Sequence, residues 1–86
     1  MKHFEELWEE AEKLSASSSF SINEIIIELV KDLKNLVLSD NKNYLMGKII
    51  FNLACISYKY NINVYTALVD SINDFRSSQL ELEENE

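Results

Sequence analysis

Proline is missing from this chain and glycine occurs once, at Gly47. Without these residues the sequence lacks the usual means of making tight hairpin turns, and long periodic stretches run uninterrupted. The expected fold class is therefore all-α. An 86-residue chain has room for one modest core, because a small domain buries a smaller share of its surface than a large one. The expected organisation is one all-α domain over 1–78 and an acidic, frayed tail over 79–86.

Apolar residues recur at three- and four-residue steps in four stretches, the spacing of one helix face. The first, from about Lys2 to Leu14, carries Phe4, Leu7, Trp8, Ala11 and Leu14 opposite a run of glutamates that reads as a solvated face. Ser15 to Ser19 then reads as a polar loop. The second begins at Ser21-Ile22-Asn23-Glu24, a capping box flanked by Phe20 and Ile25 as a hydrophobic staple. Its apolar face runs through Ile22, Ile25, Ile26, Leu29, Val30, Leu33, Leu36 and Val37 to a turn-rich loop at 39–43.

The third stretch, about Tyr44 to Tyr60, is apolar around most of its circumference, with Leu45, Met46, Ile49, Ile50, Phe51, Leu53, Ala54, Cys55, Ile56 and Tyr58. Such a helix needs cover on all sides, and a second copy is the simplest source, so a homodimer or higher oligomer through this helix is expected. Its polar exceptions, Lys48, Asn52 and Lys59, fall with Cys55 on one stripe that faces either a cleft or water. Asn61-Ile62-Asn63 reads as a tight joint, with Asn61 left-handed and Asn63 capping the fourth helix. That helix carries Val64, Leu68, Ile72 and Phe75 on one face. Beyond about Ser78 clustered glutamates oppose the helix dipole, and fraying is expected there.

Composition narrows the function. The net charge is −7 with no Lys/Arg cluster, which argues against nucleic acid, whose phosphates need concentrated basic side chains. No stretch approaches the roughly 20 apolar residues that span a bilayer, so no membrane partner and a cytoplasmic location are expected. Cys55, the single cysteine, has no local basic neighbour and reads as a small buried hydrophobe. His3 lies at the terminus, where neither a proton shuttle nor a metal ligand is expected.

Gly47-Lys48-Ile49-Ile50-Phe51-Asn52-Leu53-Ala54, continued by Tyr60-Asn61-Ile62-Asn63, resembles the MazG-like branch of the all-α nucleoside triphosphate pyrophosphohydrolases, which shows Gly-Asp, an apolar run and Leu-Gly-Ile-Asp there. Leu29-Val30-Lys31-Asp32-Leu33-Lys34-Asn35-Leu36 lies where that family has an apolar pair followed by Glu-Glu-x-x-Glu-Leu. The resemblance spans roughly Phe4 to Arg76 and implies a four-helix MazG-like domain packed into a homo-oligomeric bundle. In the family, an E-x-x-E pair and an E-x-x-D pair on facing helices hold magnesium against the triphosphate; residues three apart share a helix face, and hard cations prefer oxygen. Position by position, those ligands fall on Asp32, Asn35, Leu45 and Lys48, of which only Asp32 is a carboxylate.

The resemblance therefore implies a degenerate site with no confident catalytic residue and no metal. Asn52, Asn73 and Arg76 are the candidates for a residual cleft. Glu24 reads as a cap and Glu28 as a solvent-facing residue near Lys31, about 12 Å and 6 Å along the axis from Asp32 at ~1.5 Å per residue. The leading expectation is a non-catalytic MazG-like homologue acting as a binding or regulatory module for a protein or nucleotide, with no cofactor. Two alternatives stand beside it. One is a residually active, magnesium-dependent pyrophosphohydrolase completed by other acids or a partner subunit. The other is a small acidic interaction protein of the immunity or antitoxin type.

Overall fold

A computed structural model describes residues 3–84, with side chains as far as residue 80. The described residues form four helices, α1 (Phe4–Ala16), α2 (Ile22–Leu36), α3 (Lys42–Lys59) and α4 (Val64–Glu84), and no strand. The all-α reading holds. No helix among these residues is long and apolar enough to cross a membrane.

Each boundary has a local cause. The Ser21 hydroxyl accepts from Glu24 N–H at 3.2 Å and opens α2, the Ser21 half of the expected capping box. At α3 the cap is Asn41, whose Oδ1 accepts from Tyr44 N–H at 3.1 Å, so the helix starts two residues earlier than its apolar pattern suggested. Asn61 takes φ 53°. Ile62 N–H donates to Ser57 O at 2.9 Å and Asn61 N–H to Tyr58 O at 3.3 Å, the paired bonds of a Schellman motif closing α3. Asn63 Oδ1 accepts from Thr66 N–H at 3.1 Å and starts α4.

Two further boundaries differ from the sequence reading. α1 continues through Ser15, assigned above to a loop, and buries it to 4% exposure; the Ser17 hydroxyl closes the helix by donating to Leu14 O at 2.8 Å. α4 runs past Ser78 to Glu84. Gln, Leu and Glu are good helix formers, and no proline, glycine or capping residue stands there to stop the helix. The unfavourable dipole interaction, worth a few tenths of a kcal/mol per exposed charge, does not end it. The start expected at Lys2 and the last two residues of the tail lie outside the described residues.

α3 is the centre of the packing, with α1 on one side and α2 on the other, while α4 packs extensively on none of them. The buried apolar residues are Ile25 of α2 and Ile49, Ala54 and Cys55 of α3. Cys55 is thus a buried hydrophobe, as read from sequence. Around α3 the cover is incomplete: Met46, Phe51, Leu53 and Tyr58 stay 40–48% exposed. α2 buries Ile25 and half-buries Ile22, Leu29 and Leu36 against α3, but Ile26, Val30, Leu33 and Val37 on its other apolar side remain exposed. The molecule measures 51 × 32 × 31 Å.

Candidate functional site: a lysine between two carboxylates

Glu28 and Asp32 are one turn apart on α2, on the side that also carries Ile25 and Leu29 toward α3. Lys48 sits early on α3, a helix with no acidic residue of its own. Packing the two helices brings Lys48 Nζ to 2.9 Å from Glu28 Oε1 and 3.4 Å from Asp32 Oδ1. The ammonium also lies 5.8 Å from the Tyr44 ring centroid, within cation–π range.

Asp32 is 2% exposed, and its Oδ2 has no hydrogen-bond partner among the described residues. A buried carboxylate is costly unless a counter-charge accompanies it, and Lys48 supplies one. The Lys48 hydrogen bond, reinforced by its charge, holds the Glu28 carboxyl below its ordinary 4.5. Lys48 is raised above its ordinary 10.5, first by the hydrogen bond to Glu28; burial opposes this and the Asp32 charge adds to it. A lysine acting as base or nucleophile needs the opposite shift, toward neutrality. This lysine is locked as a cation.

The four positions that the resemblance implies divide. Asp32 and Lys48 meet directly, Leu45 is half-buried on α3, and Asn35 is exposed. Asn35 lines an open groove of about 460 Å³ along the outside of α2 with Ile26, Ile27, Val30, Lys31 and Lys34. Asn52 is half-buried on α3, whereas Asn73 and Arg76 are exposed on α4. The donor set does not fit magnesium. Asp32 is the one carboxylate among the four positions, and the Lys48 ammonium lies where it would repel a divalent cation at a few ångströms. No group of three or more His, Cys, Asp or Glu suited to a metal occurs among the described residues.

Glu28 keeps a 42% exposed side chain with Lys31 nearby, as read from sequence, but its carboxylate also binds Lys48, a partner that reading missed. The signal was present: Glu28 shares a helix face with Asp32, and Lys48 stands in an apolar helix with no local acid to satisfy it. Compared with protein families, curated proteins and solved structures, the chain matches none.

Proposed function

We propose that this chain is a non-catalytic homologue of the MazG-like pyrophosphohydrolases, working as a homodimeric binding or regulatory module for a protein or for a nucleotide held without metal. The observation that carries the reading is the placement of the Lys48 ammonium against Glu28 and Asp32. A tethered cation there neutralises the buried carboxylate that a metal would otherwise have to satisfy. Self-association uses α3, whose Phe51, Leu53 and Met46 are left partly uncovered by α1 and α2.

Millimolar magnesium or manganese is expected to leave the melting temperature unchanged, since only binding to the folded state raises it. A shift of several degrees, or pyrophosphate released from any nucleoside triphosphate, rejects the proposal in favour of a residual enzyme. Asn35→Glu, Leu45→Glu and Lys48→Asp together restore the family's four carboxylates. Calorimetric titration of this variant is expected to show magnesium binding that the parent lacks; negligible binding by a folded variant removes the positional argument for the family. Leu53→Asp tests the α3 contact. Because Leu53 is 42% exposed in one chain, the variant is expected to stay helical by circular dichroism and to sediment as a monomer.

A further inference from the structure

The α4 helix leaves the packed part of the chain with an apolar seam unused. Tyr65, Leu68, Ile72 and Phe75 follow one another at steps of three, four and three, the spacing of a helix–helix seam. They are 71%, 58%, 42% and 65% exposed. A matching seam lies on the outer side of α2, where Ile26, Val30, Leu33 and Val37 step by four, three and four and are 43–75% exposed. Ile26 and Val30 line the open groove together with Ile27, and Lys31, Lys34 and Asn35 complete its lining. The two seams have complementary surroundings. Around its seam α4 carries Asp70 and Asp74 against Arg76 alone, whereas the groove is lined by two lysines and no acid.

We infer that the α2 groove is the docking site for α4 of a second copy of this chain, exchanged reciprocally across a two-fold axis. Charge chooses among the ways a second copy can cover the seam. Two α4 helices laid together bring two acidic surfaces into contact, and α1 is acidic too, with Glu5, Glu6, Glu9, Glu10 and Glu12 against Lys13. The lysine-lined groove is the surface that attracts α4. Area agrees: two reciprocal contacts, each burying the exposed parts of eight seam side chains, remove roughly 1,400 Å² of accessible surface, within the ~1,200–2,000 Å² of a stable interface. The exchange goes beyond the α3 contact proposed above and does not rest on the family resemblance.

The test uses full-length chains. Val30→Cys and Ile72→Cys are made in separately tagged copies, mixed and oxidised. The expected product is a disulfide that joins the two differently tagged chains through the introduced cysteines, absent from the parent, whose single thiol Cys55 is buried. In parallel, Phe75→Asp and the pair Lys31→Glu/Lys34→Glu are expected each to weaken dimerisation at least tenfold in sedimentation, with helical circular dichroism retained because these side chains are exposed in the single chain. Three results overturn the inference. Ile72→Cys cross-linking only to itself means α4 pairs with α4. An internal disulfide in a monomeric double-cysteine chain means α4 folds back on its own α2. No cross-link in any combination, with the lysine variant still dimeric and Leu53→Asp monomeric, means that α3 alone holds the dimer, so the exchange fails while the α3 contact stands.

Discussion

Lys48 concentrates the electrostatics of the chain at one residue, and its neighbours set the direction of the pH dependence. Glu28 is depressed in the folded state, so its contribution is fully present above the ordinary carboxyl value of 4.5 and is lost as pH falls through the lower folded value. Lys48 is raised, so its contribution is present below 10.5 and is lost as pH rises through the higher folded value. Glu28→Gln should therefore lower the urea midpoint by a constant amount between about pH 5.5 and 9.5. As pH falls below 4.5 and through the lower folded value the difference should close, because the parent's carboxyl then becomes protonated as well. A gap that persists unchanged at pH 2 means that Glu28 acts through packing. Lys48→Met should cost more than Glu28→Gln, since it leaves Asp32 buried without a counter-charge, and adding Asp32→Asn should recover part of the loss. Gly47 is simpler: its φ is not positive, and a Cβ there meets nothing within 4 Å. Gly47→Ala should raise unfolding stability by ~0.5–1 kcal/mol through helix propensity alone. A loss instead marks the exposed Gly47 side of α3 as a surface that another molecule approaches closely.

The helices were legible in the sequence to the extent that their causes are local. Ser21, Asn61 and Asn63 carry their roles in their own side chains and backbone preferences, and all three take the expected geometry. Asn61→Val should lower stability by about 1–2 kcal/mol in chemical denaturation, because a β-branched residue resists the left-handed conformation, while Asn61→Gly should be near neutral. Ser21→Ala should cost about 1 kcal/mol by the same measurement. Features set by competing or distant effects were not legible. The continuation of α4 past Ser78 to Glu84 follows from good helix formers, which the unfavourable charge run does not reveal. Ser15 was assigned to a loop because its polarity says nothing of the α1 packing that buries it. Asp32 and Lys48 were singled out by position, yet Glu28 was missed, because its partner lies twenty residues away across a helix pair and emerges only when α2 and α3 are packed.

At the scale of the whole molecule, the small core makes each buried contact expensive to lose. Ile49→Ala removes a side chain that is 4% exposed at the centre of the packing and should cost about 2–5 kcal/mol, a large share of the ~5–15 kcal/mol typical of a domain. Equilibrium unfolding of this variant should show little or no folded baseline; a midpoint close to the parent's means that α3 is not the keystone. The Asn61 joint has a mechanical consequence as well. α4 is 21 residues long, a rod of about 31 Å, and its connection to α3 turns on a single left-handed residue. A rotation of roughly 20° at that pivot swings the far end of the rod by about 10 Å, the leverage that hinge residues give to rigid elements. The reach and aim of the longest element in this protein are thus governed by the backbone of Asn61, an exposed residue outside the buried core.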